Sequence, residues 1–155
     1  DDRAAAGGGG AMSAPEAPSA VSWQLTRHAL EVGMAQLPPH DSVPRWALDE
    51  AHETPFWSIT RTDDELSIIC AYVALPGTVT AVGPFAAFSI DGPLDHSLIG
   101  VLAGLTAPLA EADISILAQS TFDTDWILVP VAQADHAIEV WKAAGHLIET
   151  EDSPS

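Results

Sequence analysis

The stretch from Phe85 to Val131, FAAFSIDGPLDHSLIGVLAGLTAPLAEADISILAQSTFDTDWILVPV, leaves little choice of architecture. Phe85–Ile90 is short, aromatic and branched, and the turn residues Asp91-Gly92-Pro93 stop it as a strand. Leu98, Ile99, Val101, Leu102, Leu105 and Leu109 then return to one helical face, with Asp95 placed to cap the helix start. Pro108 predicts a kink or an early end, because an interior proline loses a hydrogen bond and clashes one turn back. Ile114, Ile116, Ala118 and Ser120 share one face of a strand, and Trp126–Val131 forms the next. The polar reversal Ser120-Thr121-Phe122-Asp123-Thr124-Asp125 joins them. Gln133–Ala144 reads as a second helix, with Asp135 in its first turn, Ile138 and Trp141 on one face, and Gly145 as the stop. His146–Glu149 is the last short strand.

The order is therefore β-α-β-β-α-β, the split βαβ plan of ferredoxin-like α+β folds. Upstream, Ser22–Leu37 alternates apolar residues with strand periodicity and ends at Pro38-Pro39. Val43–Glu50 can open a short helical turn, and Phe56–Thr62 and Leu66–Val73 read as strands joined at Asp63-Asp64-Glu65. Thr62–Ile69 aligns with Phe122–Val129 at an offset of sixty, and Leu30 falls on Ile90 by the same offset. This is an internal repeat of two units, the first degenerate in its helical part. Residues 21–80 are expected to form the first unit and 81–150 the second. Pro76–Pro84 links them, with Thr78–Val82 available as a strand of the first.

The segment IDGPLDHSLIGVLAGLTAPLAEADISILAQSTFDTDWILV resembles an ACT domain, the small regulatory module that senses amino acids. It is similar to the sub-type in small tandem-ACT proteins and in the cytosolic arginine sensors of the CASTOR family. The features that carry the resemblance are the glycine-containing loop, the helix rich in small residues, the ISI strand, and STFDTD leading into an apolar strand. The resemblance implies two ferredoxin-like βαββαβ ACT units in tandem, a regulatory rather than catalytic protein, and a free amino acid as ligand.

Elementary chemistry points to the same place. Free backbone N–H groups at a helix start, aided by the helix dipole, suit a small carboxylate, and Gly92 allows close approach. Asp95, Asp123 and Asp125 are the residue types that would meet an ammonium. In the resembled family this loop and the strand opposite form the effector site, often shared between two modules. That implies loop contacts from Gly92, Leu94, Asp95, His96, Ser97 and Leu98. It also implies facing-strand contacts from Ile114, Ser115 and Ile116, with Thr121, Phe122, Asp123, Thr124 and Asp125 as side-chain readers. The residues alone leave a plainer alternative open: Asp91-Gly92-Pro93 as a turn, Asp95 as a cap, and the acidic turns as ordinary hairpin turns.

Other chemistries are disfavoured. The formal charge of −17, from 22 acids against 5 bases, argues against nucleic acid and against anionic membrane surfaces. Asp95-His96-Ser97 is no triad, since sequence neighbours point apart at a helix start and no G-x-S-x-G elbow is present. The six histidines lack metal-ligand spacing, and a single lysine without a phosphate-binding loop speaks against ATP chemistry. No cofactor is expected. Cys70, the sole cysteine, sits in the apolar run Leu66–Val73 and is expected to be buried and inert. Gly100 and Gly104, one turn apart, suggest close helix packing.

No apolar run approaches bilayer length and no charged-then-apolar leader is visible, so the cytoplasm is the expected location. Residues 1–20, rich in glycine, alanine, serine and proline and beginning without methionine, are expected to be a disordered tail, and 151–155 an acidic one. Exposed sheet edges predict a homodimer, or two units that pair internally.

Overall fold

The computed structural model describes residues 21–49, 54–95 and 97–152; the expected tail at residues 1–20 and the candidate His96 lie outside them. The chain runs β1 (Gln24–Arg27), β2 (Val32–Leu37), α1 (Arg45–Asp49), β3 (Ser58–Arg61), β4 (Leu66–Ala71), a 3-10 turn (Tyr72–Ala74) and β5 (Thr80–Ile90). It continues through α2 (Val101–Glu111), β6 (Leu117–Ser120), β7 (Asp125–Pro130), α3 (Val131–Ala143) and β8 (Leu147–Thr150). The fold is α+β, built from ferredoxin-like units.

Strand β5 serves both halves. Its first part pairs antiparallel with β2 (Ala81 opposite Ala35), and its second part lies between β1 (Ser89 opposite Thr26) and β7 (Phe88 opposite Ile127). One unit has the order β3-β4-β2-β5, the other β6-β7-β5-β1-β8. In the second, β1 occupies the place beside β5, and β8 runs parallel to β1 one place further out. Alternation along the strands builds the layers. Ala86, Phe88, Ile90, Ile127 and Val129 join Val101, Leu105, Leu109, Ala134, Ala137 and Trp141 in a core beneath α2 and α3. Phe85, Ala87 and Leu128, on the opposite face, pack with Val32, Ile69 and Phe56 between the two halves of the one eight-stranded sheet. Leu66, Ile68 and Cys70 face Ala47 of α1 in a third cluster. Trp126 joins the two halves of the sheet, stacking on His28 at 4.8 Å and on Phe56 at 4.9 Å.

The repeat is real in the hairpins, but its register differs from the sequence alignment. Thr62 donates its amide to the Glu65 carbonyl, and Thr121 does the same to Thr124, so the equivalent residues are fifty-nine apart, not sixty. A slip of one residue matters in a strand, because it exchanges the two faces. Among the described residues, the helices of the first unit are the five residues of α1 and the three of the 3-10 turn.

Helix α2 corrects several expectations. It begins at Val101 after Gly100, which sits at φ 80°, so Leu98 and Ile99 precede the helix and are exposed. Pro108 does not end it; the helix runs on to Glu111. A Schellman motif closes it: Ile114 donates to Leu109 and Asp113 to Ala110, with Asp113 left-handed at φ 57°. Ile114 is thereby part of the helix exit, and β6 starts only at Leu117. Helix α3 ends the same way, His146 donating to Trp141 and Gly145 to Lys142. It starts at Val131, two residues early, so Asp135 lies beyond the first turn and pairs instead with Arg27 at 2.8 Å. A side chain at Gly100 or Gly104 would meet open space, so neither glycine is there for close packing. Cys70 is buried. Among the described residues no helix is long and apolar enough to cross a membrane.

Candidate functional site

The connection from β5 to α2 is pinned at both ends. Asp91 donates its amide to the Gln24 carbonyl at 2.8 Å, and its carboxylate accepts from the Thr26 hydroxyl at 2.9 Å. Leu94 then donates to the Asp123 carbonyl at 2.8 Å, which fastens the glycine loop to the β6–β7 turn. The turn is tied back by Thr124, whose hydroxyl donates to the Ile90 carbonyl at 2.6 Å. Gly92 fits into this junction because a Cβ there would stand 2.9 Å from the Leu94 nitrogen and 3.3 Å from the Asp123 oxygen.

Asp95 organises the next step without capping α2. One carboxylate oxygen accepts from the Ser97 amide at 2.8 Å and from the Ser97 hydroxyl at 2.6 Å, and the Asp95 carbonyl accepts from the Leu98 amide at 3.0 Å. The Ser97 and Leu98 amides are therefore already engaged. The amides without a carbonyl one turn behind them within the helix belong to its first turn, from Val101 onward.

Between these elements lies an open cleft of about 490 Å³. It is lined by Leu94, Asp95, Leu98, Thr121, Phe122, Asp123, Thr124 and Asp125, all of which sequence reasoning had singled out, and by Gly100, Val101, Leu102 and Ser120, which it had not. Gly92 supports the wall from behind, and Ser97 turns its hydroxyl to Asp95. Ile114 and Ile116 do not line the cleft: both pack toward the helix-side core, and Ser115 also lies outside the lining. Three of the four missed residues follow from the helix start, and the fourth, Ser120, ends β6 beside the turn. Moving that start from Leu98 to Val101 brings the first turn of the helix to the cleft, and Gly100 was the signal that could have fixed that boundary.

Three carboxylates stand on the lining, and none of its described residues is basic. The Asp125 carboxylate accepts from the Ser120 hydroxyl, and Asp95 is bonded to Ser97. Nothing among the described residues donates to the Asp123 carboxylate. Phe122, on the lining, is 83% exposed and gives the cleft an apolar lip. Among the described residues no group of three or more His, Cys, Asp or Glu is arranged to hold a metal ion.

Two ferredoxin-like units sharing a strand, with a cleft at the start of the first long helix, define a regulatory fold of the ACT type. A model of the ACT domain matches residues 80–141, and a model of an N-terminal domain family matches residues 31–78. The crystal structure of a protein from Agobacterium tumefaciens is similar at 31% identity and a TM-score of 0.80, covering 88% of this chain and 98% of that one. This chain is thus an ACT-domain protein, with the ACT match in residues 80–141. A Vibrio cholerae protein described as of unknown function, possibly in transport, shares the fold at 16% identity and a TM-score of 0.64, over 79% of this chain and 90% of that one. So does the regulatory subunit of aspartate kinase from Thermus thermophilus, at 15% identity and a TM-score of 0.52, over 77% of this chain and 93% of that one. No curated protein matches by sequence.

Proposed function

We propose that this protein is a non-enzymatic regulatory sensor that binds a free amino acid in the cleft between the 91–98 loop, the start of α2 and the β6–β7 turn. The observation that carries the reading is the cleft's polarity. First-turn amides of α2 stand on one side, suited to a carboxylate, and three aspartates line the rest with no basic side chain among the described residues. Its volume falls within the roughly 300–1,000 Å³ of small-molecule sites. An α-amino acid carries both charges that such a site separates. The ammonium is assigned to Asp123, whose carboxylate has no other donor among the described residues, and the carboxylate to the Val101 and Leu102 amides. The aspartates favour a cationic or neutral side chain over an acidic one, which is the direction of the arginine-sensor resemblance.

The fold shared with aspartate kinase regulatory subunits supports a second reading, in which the protein regulates an enzyme of amino-acid biosynthesis as a separate subunit. An adaptor that keeps the fold but takes no ligand is the third. A thermal-shift screen against the twenty amino acids, followed by calorimetry, separates them. Stabilisation by one or a few amino acids is expected, reaching roughly 2.7 kcal/mol at a hundredfold excess over Kd. No stabilisation by any of them would leave the adaptor reading in place, and co-purification with a biosynthetic enzyme would support the second.

A further inference from the structure

Strand β2, helix α1 and the β3–β4 hairpin of the first unit correspond to β5, α2 and the β6–β7 hairpin of the second. The hairpins agree pair for pair at the offset of fifty-nine. Ser58 faces Ile69 where Leu117 faces Leu128, and Arg61 faces Leu66 where Ser120 faces Asp125. Each unit's first strand runs into a loop that leads to the helix, residues 38–44 in the first unit and 91–100 in the second. In the second unit that loop and the hairpin turn enclose the cleft, with Ser120 on its lining. In the first unit the place of Ser120 is taken by Arg61.

Arg61 spans the distance between hairpin and loop. Its Nη2 donates to the Asp41 carbonyl at 2.7 Å, and its Nη1 donates to the Pro39 carbonyl. The second unit makes the corresponding link through backbone alone, Leu94 donating to Asp123, while Ser120 gives its short hydroxyl to Asp125. The partners of Arg61 are informative on a chain with 22 acids. Among the described residues its guanidinium pairs with no carboxylate and forks instead onto two carbonyls of one loop. Two carbonyls so placed select a planar group whose donors are fixed in direction, which an ammonium does not supply.

We infer that the 38–41 loop is a second binding position, a receptor for a guanidinium group, and that Arg61 is its tethered occupant. The first unit's counterpart of the cleft is thereby kept filled from within, and a chain offers free ligand one cleft and not two. Arg61→Ser places at this position the residue type of its counterpart and vacates the loop for a small guanidinium compound. Arg61 is exposed, and Ile59, Leu66 and Ala47 hold the hairpin against α1 without it, so the variant retains its fold.

Thermal melting with propylguanidinium, and with propylammonium as the control cation, tests this. Arg61→Ser is expected to melt about 2–4 °C below wild type. Arg61→Lys should melt with it, because charge without the fork does not span the two carbonyls. Propylguanidinium at about 10 mM should restore most of the loss in Arg61→Ser, propylammonium should restore none, and wild type should gain from neither. Adding Asp123→Ala to Arg61→Ser disables the proposed amino-acid cleft and should leave the restoration intact. The probe needs no amino acid in that cleft, so an empty amino-acid screen and a failed restoration are separate results. An Arg61→Ser variant that melts with wild type would overturn the proposal, as would a loss that propylguanidinium does not restore, which would make Arg61 a brace only. Equal gains in wild type, or a restoration abolished by Asp123→Ala, would overturn it as well.

Discussion

The amide of Leu94 and the carbonyl of Asp123 meet at 2.8 Å, and through that bond the glycine loop and the acidic turn become one wall of the cleft. Neither residue carries side-chain chemistry in the contact. It is a backbone link between segments almost thirty positions apart, and it aligns what surrounds it. Asp95 and Leu98 continue from one side of the link, and Thr124 and Asp125 from the other.

Gly92 protects this link. A side chain there meets two backbone atoms, the Leu94 nitrogen and the Asp123 oxygen, which cannot swing aside as a flexible side chain would. Gly92→Val is expected to destabilise by about 1–3 kcal/mol through overpacking. Urea unfolding checks it. Affinity for any cleft ligand should fall with it, because the wall and not the ligand is what the new methyl groups push against.

Removing charge from the cleft separates binding from folding. Asp123→Ala leaves the backbone carbonyl that Leu94 needs and deletes the carboxylate. It should cost a bound amino acid about 1.5–3 kcal/mol of affinity while the melting temperature without ligand stays within about a degree. Isothermal calorimetry beside thermal melting reads both quantities. Equal affinity in wild type and variant would move the ammonium away from Asp123.

The two Schellman closures allow a paired test. Helix α3 has Gly145 at the left-handed position, φ 95°, whereas α2 uses Asp113 at φ 57°. Asp113→Gly is expected to stabilise by about 0.5–1 kcal/mol, and Gly145→Ala to destabilise by about 1 kcal/mol. The denaturation midpoint should shift in opposite directions for the two, at unchanged m-value.

Trp126 couples the two halves of the sheet by lying between His28 and Phe56. Trp126→Ala should cost about 3 kcal/mol, and Trp126→Phe substantially less, since a ring would still fill the stack. Equilibrium unfolding followed by far-ultraviolet circular dichroism gives both values. A loss near zero for the alanine variant would mean that the two halves are held by the remaining cluster of Val32, Phe56, Ile69, Phe85, Ala87 and Leu128.

Much of the second unit was legible in the chain itself. The period of Val101, Leu105 and Leu109 gave the buried face of α2, Gly145 gave the end of α3, and the polar run around Asp123 gave the hairpin. These are local signals: side-chain period and backbone conformational preference act over a few residues. Eight residues of the candidate set line one cleft because they lie in the loop before α2 and in the β6–β7 turn, both delimited by local turn residues. Helix ends were less legible. Whether Asp95 caps a helix or bonds to Ser97 depends on where the following turn settles, and that is fixed by Val101 reaching the sheet.

The sharing of β5 could not be read from the sequence. The chain offers Thr78–Val82 as a strand of the first unit and Phe85–Ile90 as a strand of the second, but it does not announce that they run on as one strand, Thr80–Ile90, shared between β2 and β7. Nor does Gln24–Arg27 announce that it will stand between β5 and β8. Strand partners are chosen by which apolar faces are left to cover, a property of the assembled layers. The sequence determined which residues make strands, helices and turns, because those preferences are local. The tertiary structure decided which strand lies beside which, what the cleft encloses and which edge stays open, because burial and backbone pairing are settled only among segments distant in the chain.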